Sequence, residues 1–223
     1  MESEQMTETR RPIATRSAGW AQALARRLSQ GSITPNQISQ VSMLFAALAG
    51  AAFWASGPSE GLLRATFLVL AASGCQLRLI CNLLDGMVAV EGGKSAPDGP
   101  FWNEAPDRAS DIAILAGLGL AAYQPALGFA AATLAVMTAY VREMGRAEGA
   151  GSDFSGPMAK PQRMAITTIA AIAAIVEQYL TATNYTLIIA LWIVVLGALF
   201  TSLRRSRTLL AYLKSRDASG GDT

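Results

Sequence analysis

From Tyr185 to Leu203 the chain carries no charged residue. A run of that length and character belongs in a bilayer, because about 20 mainly apolar residues span the hydrocarbon layer. The pattern recurs. Ser39 to Ser56 and Ala126 to Val141 are uncharged, and Met164 to Val176 is uncharged up to Glu177. Ala65 to Leu84 is apolar apart from Arg78 and a polar end, and Ile112 to Tyr123 is apolar on a helix expected to begin near Asn103. Composition agrees: the 223 residues are 52% hydrophobic and 15% charged, against about 25% charge in a soluble domain. The expected fold is all-α, a polytopic membrane protein of six transmembrane helices with an N-terminal interfacial helix.

The connections are of two kinds. Ser56 to Gly61, Gln124–Pro125 and Thr181 to Asn184 are short and nearly uncharged. The rest are basic: Arg10, Arg11, Arg16, Arg26 and Arg27 at the start, Arg142, Arg146, Lys160 and Arg163 after the fourth span, and Arg204, Arg205, Arg207, Lys214 and Arg216 at the end. The positive-inside rule then puts both termini and the longer loops in the cytoplasm, in the cytoplasmic (inner) membrane. Residues 1–13, acidic and without an apolar run, read as a disordered cytoplasmic tail. Residues 14–30 (ATRSAGWAQALARRLSQ) read as an interfacial amphipathic helix, with Trp20, Ala21, Leu24 and Leu28 at helical spacing. A surface helix packed on the bundle is the other reading. The membrane domain covers 31–205 and a basic cytoplasmic tail 206–223.

The chain has no histidine. That removes imidazole bases and the usual zinc ligands, so any metal must be held by oxygen. Cys75 and Cys81, six apart, face different directions on a helix and form no metal pair. A net charge of +2 gives no reason to invoke nucleic acid.

The chemistry is concentrated in Asn82 to Asp111, NLLDGMVAVEGGKSAPDGPFWNEAPDRASD. Asn82 and Asp85 share a face at one helix end, and Asn103, Asp107 and Asp111 form a stripe at the start of the next, beside Glu104. Carboxylates at membrane depth are costly, and divalent cations would offset the cost. Taken singly, helix-start acids and small packing residues have ordinary structural explanations.

The stretch resembles the CDP-alcohol phosphotransferase (phosphatidyltransferase) family, whose pattern is D-x2-D-G-x2-A-R-x8-G-x3-D-x3-D. Asn82, Asp85, Gly86, Ala89, Val90, Gly99, Asn103 and Asp107 occupy its positions with every spacing kept. Asp107-Arg108 and the Thr34-Pro35-Asn36 entry to the first span are similar to the family's. The chain departs at Asn82, Asn103 and Val90, where the family has two aspartates and an arginine.

The resemblance implies attack of an alcohol hydroxyl on the β-phosphorus of a CDP-linked lipid such as CDP-diacylglycerol, releasing CMP, in phospholipid biosynthesis. It implies Mg²⁺ or Mn²⁺, two ions, and a homodimer. Asp107 would be the catalytic base. Asp85, Asn82, Asn103 and Asp107 would be metal ligands, with Glu104 and Asp111 restoring charge. Gly86, Ala89 and Gly99 would receive the nucleotide, with Arg78 either in place of the missing arginine or, on the plainer reading, snorkelling or pairing with an acid. Arg142, Arg146, Lys160 and Arg163 are expected to hold an acceptor phosphate, or else to be topology charge. Two rivals stay open. One is a silent family member acting in binding or assembly, suggested by Asn82, Val90 and Asn103. The other is a small cation transporter, against which the uncharged outer halves of the spans argue.

Overall fold

The computed structural model describes residues 18–94, 96–181 and 183–220. The expected disordered tail and the first residues of the interfacial helix lie outside the described residues. Among those described, the structure is entirely helical. It comprises α1 (Gly19–Gln30), α2 (Pro35–Ser56), α3 (Gly61–Glu91), α4 (Gly99–Ala121), α5 (Pro125–Ala147), α6 (Lys160–Leu180) and α7 (Tyr185–Gly220).

α2 starts where the sequence says it should. The Thr34 hydroxyl accepts from the Gln37 amide at 3.2 Å, Gln37 Oε1 accepts from the Thr34 amide at 3.0 Å, and Pro35 fills the first turn. That reciprocal cap satisfies two amides left without intrahelical partners. α2 then packs against both α3 and α4, while α3 and α4 scarcely touch each other. Small residues let the axes close in: a Cβ on Gly117 would lie 2.2 Å from the Gly50 carbonyl oxygen, and one on Gly119 2.6 Å from Gly128 Cα. Small-on-small contact of this kind is how membrane helices gain dispersion energy when lipid is as apolar as leucine. α5 continues from α4, and α6 and α7 close the bundle against α3 and α5.

Five of the six long helices are apolar enough to cross a bilayer by length and composition. The sixth expected span, α4, has the length, 23 residues, but its first half carries Glu104, Asp107, Arg108 and Asp111. It packs on α2 and α5, so Asp111 is enclosed by protein instead of lipid. Two ends of the bundle result. At one, the short connections meet: Tyr123 Oη donates to Gly57 O at 2.7 Å, Asn184 Nδ2 to Ala121 O at 2.9 Å, and Arg64 Nη2 to Asn184 Oδ1 at 2.7 Å. At the other lie the basic connections.

α1 packs Ala21 and Ala25 onto Ile38, Leu83, Leu84, Met87 and Val88, and leaves Trp20 and Leu24 exposed. An alanine seam, with Leu28 beside it, docks the helix on the bundle, as in the surface-helix reading. α7 does not stop at the end of its apolar run. Residues 206–220, expected as a tail, continue the same helix, whose 36 residues extend about 54 Å at 1.5 Å each, well past a hydrocarbon layer of about 30 Å.

Candidate active site

Arg78, Asn82, Asp85 and Ala89 recur every three or four residues and form one stripe along the last turns of α3. The stripe faces the start of α4. Asp107 is eight residues into α4, about 12 Å from its start, and Asp111 about 18 Å. Pro106 is enclosed one position earlier, and its missing amide leaves the Trp102 carbonyl without a helical partner.

The two stripes meet through hydrogen bonds. Asn82 Nδ2 donates to Asp107 Oδ1 at 2.7 Å, and Asn82 Oδ1 accepts from Ser42 Oγ at 2.9 Å. Asp85, 5% exposed, accepts from Ser39 Oγ at 2.7 Å and from the Gly86 amide at 2.5 Å. The Asp107 carboxylate also receives Lys160 Nζ on Oδ2 at 2.5 Å and Arg78 Nη2 on Oδ1 at 3.4 Å. One turn deeper, Asp111 is bound by Arg163 Nη2 at 2.5 Å and Arg78 Nη2 at 3.5 Å. Arg78 is fully enclosed, and its Nε and Nη1 find no partner. Asp107, Asp111 and Glu104 each face protein cations, whereas Asp85 has none within 4 Å among the described residues.

Other expected residues divide. Asn103 is exposed and donates to Glu104 Oε1 at 3.1 Å, so it joins the rim and makes no described contact with Asp85 or Asp107. Glu104 is held by Arg108 and by Arg142 Nη2, the latter at 2.6 Å. Neither Glu104 nor Asp111 is therefore turned toward Asp85 as spare negative charge. Arg78 is closed off from any nucleotide that approaches from outside the bundle. Gly86, Ala89 and Gly99 are half-buried along the approach. Of the four expected phosphate-binding cations, Arg163 is buried and donates to Met158 O at 2.9 Å. Arg142 and Lys160 line the rim, the former with its guanidinium 5.4 Å from the Phe154 ring centre. Arg146 is half-exposed beside Glu143.

Ser39 and Ser42 were missed from sequence, although a signal was present: Asn36, Ser39 and Ser42 recur every third residue on one face at the start of the first span. Asn36 Nδ2 reaches both Asp98 carboxylate oxygens at 3.0 Å, joining the starts of α2 and α4.

The same arrangement of helices is found in solved enzymes. The phosphatidylinositol phosphate synthase PgsA1 of Mycobacterium tuberculosis, with CDP-DAG bound, is 19% identical with a TM-score of 0.68, the match covering 85% of this chain and 92% of that one. Its complex with manganese and citrate gives 19%, 0.70, 85% and 88%, and its apo form 19%, 0.66, 84% and 95%. The chain has the fold of these synthases. No protein-family model matches it, and no curated protein does.

The sequence resemblance implies a divalent ion, which would need hard oxygen donors in this cluster. Among the described residues no three acids, thiols or imidazoles converge. The place left for a single hard cation is Asp85, a buried carboxylate that accepts from Ser39 Oγ and shares a helix face with the Asn82 amide, and hard cations select such oxygens. The donor set does not supply a second site of this kind.

Proposed function

We propose that the chain is a metal-dependent CDP-alcohol phosphatidyltransferase, moving a substituted phosphate from a CDP-linked lipid such as CDP-diacylglycerol to an alcohol and releasing CMP. One observation carries the reading: Asn82, Asp85 and Asp107, fixed by the motif register, converge at the basic end of a fold shared with a synthase solved with CDP-DAG bound. The site is assigned to the cytoplasmic face of the inner membrane, since the basic connections lie at the same end.

Asp85 and Asn82 would hold the ion, which when bound would neutralise charge developing on the diphosphate. Asp107 would orient the attacking hydroxyl and accept its proton, as the chain has no histidine to do so. Lys160, on the rim and bonded to Asp107, would pair with phosphate oxygens as the substrates enter. Arg142 and Arg146 would meet an acceptor that carries a phosphate. Gly86 and Ala89, with no bulky side chain on the α3 stripe, leave room for the nucleotide to lie against the helix.

A second reading has its own observation. Asn82 and Asn103 remove two charges and Lys160 occupies Asp107, which suits a protein that binds the lipid nucleotide without turning it over. Purified protein with CDP-diacylglycerol, Mn²⁺ and a panel of alcohols, some phosphorylated, separates the two. Release of CMP supports the transferase. Saturable binding of CDP-diacylglycerol with no CMP identifies the binding protein and rejects the transferase.

A further inference from the structure

We propose that the outward face of the α7 extension, built from Arg204, Arg207 and Lys214 with Leu203 and Leu210 among them, binds the headgroups of anionic phospholipids. The inference stands apart from the proposed transfer reaction and is tested without it.

The last part of α7 sorts its charges by face. Five cations lie between 204 and 220, namely Arg204, Arg205, Arg207, Lys214 and Arg216, and Asp217 is the only acid there. Two of the cations turn toward the bundle. Arg205 is buried and donates Nε to Ser155 O at 3.0 Å and Nη1 to Thr138 O at 2.8 Å. Arg216 Nη2 meets Glu148 Oε2 at 3.3 Å. On the same side Tyr212 Oη donates to Gly149 O at 3.1 Å, and Leu209 is buried. The other three cations point away. Arg204, Arg207 and Lys214 are exposed and make no ion pair among the described residues. Leu203, Arg207, Leu210 and Lys214 are spaced four, three and four apart, as on a single helical face. Both leucines are exposed.

The depth of this face follows from the helix rise. Exposed Tyr123, Tyr179 and Tyr185 mark the opposite end of the bundle, as aromatic residues do at a membrane surface. Counted from Tyr185, the first residue of α7, Arg204 lies about 28 Å along the helix, Arg207 about 33 Å and Lys214 about 44 Å. Hydrocarbon occupies about 30 Å and the whole bilayer about 40–45 Å, so the headgroups at the basic end cover about 30–37 Å on this scale. Arg204 and Arg207 thus reach the phosphates. Lys214 stands about 7 Å beyond, inside the screening length of about 8 Å at physiological ionic strength.

At that level leucines and unpaired cations on one face are what an anionic lipid covers. The leucines and the cation stems lie against acyl chains, and the charges meet phosphate. Topology alone asks for basic residues near the span. It does not ask that they be left unpaired and gathered on the side turned from the bundle. An acidic protein segment would match the charge, but Arg204 and Arg207 lie within the headgroup layer, where lipid is already the neighbour.

The test reads which lipid sits beside the face. Protein carrying Cys81→Ala and Leu203→Cys is labelled with bimane, Cys75 being fully enclosed, and reconstituted in phosphatidylcholine vesicles. Brominated phosphatidylglycerol and brominated phosphatidylcholine are compared as quenchers at equal content. Phosphatidylglycerol is expected to quench at least about threefold more efficiently. The advantage should shrink at about 1 M salt, where the screening length is about 3 Å. Arg204→Gln/Arg207→Gln/Lys214→Gln should abolish it with elution and helical circular dichroism unchanged, since all three side chains are exposed. The same label at Tyr185→Cys, at the other end of α7, should show no preference. Equal quenching by the two lipids at Leu203→Cys would overturn the proposal. So would a preference that survives in the triple variant, or one of equal size at Tyr185→Cys. Should Leu203→Cys elute poorly, Leu210→Cys carries the label and decides by the same comparison.

Discussion

Asp111→Ala removes the shared partner of two buried arginines. Arg78 keeps Asp107 at 3.4 Å, so the loss falls mainly on Arg163, which is 3% exposed and left with the Met158 carbonyl at 2.9 Å and Thr138 Oγ1 at 3.4 Å. Stripping one member from a buried pair costs about 3–5 kcal/mol, since the remaining charge has no solvent to turn to. At about 2–4 °C per kcal/mol for a chain of this size, the apparent melting temperature should fall by about 6–20 °C. The assay is loss of the monodisperse elution peak after graded heating in detergent, read alongside helical circular dichroism. Asp111→Asn keeps an acceptor for Arg163 without the charge and should fall in between. Asp111→Leu combined with Arg163→Met removes both charges and should recover much of the loss, because contacting residues are not additive. A melting temperature for Asp111→Ala within about 2 °C of wild type would show that the pair at 2.5 Å does not hold α4 to α6.

Gly117→Ala should abolish recovery of folded protein, with a cost above about 4 kcal/mol, because its Cβ would lie 2.2 Å from the Gly50 carbonyl oxygen; a normal yield and melting temperature would contradict the crossing. Asp85→Asn should lower CMP release by at least about tenfold, a loss of 1.4 kcal/mol or more in transition-state stabilisation, while its melting temperature changes little, since the amide can still accept from Ser39. In a Cys81→Ala background, a cysteine at exposed Gln124 should react with an impermeant maleimide from outside intact cells, and one at exposed Arg207 only after permeabilisation; the reverse pattern would invert the assigned topology.

The helices were legible because lipid imposes a simple code. Apolar runs such as Tyr185 to Leu203 mark them with little ambiguity. α4 was recognisable only by its apolar second half, since Glu104, Asp107, Arg108 and Asp111 break the code where neighbouring protein replaces lipid. The motif spacing brought Asn82, Asp85 and Asp107 together on paper, and they converge in the fold. Which cation meets which acid was not legible. Lys160 lies 53 residues from Asp107 and Arg163 52 from Asp111, and such pairings follow from how the start of α6 meets α4, which no local pattern encodes. For the same reason Asn103 and Glu104 read as cluster members, although they turn to the rim and to Arg142.

Arg78 has a consequence for how the protein is made. It lies 13 residues from the end of α3, about 20 Å in from that terminus, and its carboxylate partners belong to α4, which is synthesised later. When α3 leaves the ribosome and enters the bilayer, the guanidinium has nothing to pair with. Insertion of an arginine near a helix centre costs about 2.5–3.5 kcal/mol, and the flanking leucines, alanines and valines of this long helix must carry that load alone. Only when Asp107 and Asp111 follow on the next segment is the charge matched. The order of synthesis thus leaves the charge of the third helix unmatched until the fourth arrives to close the pair.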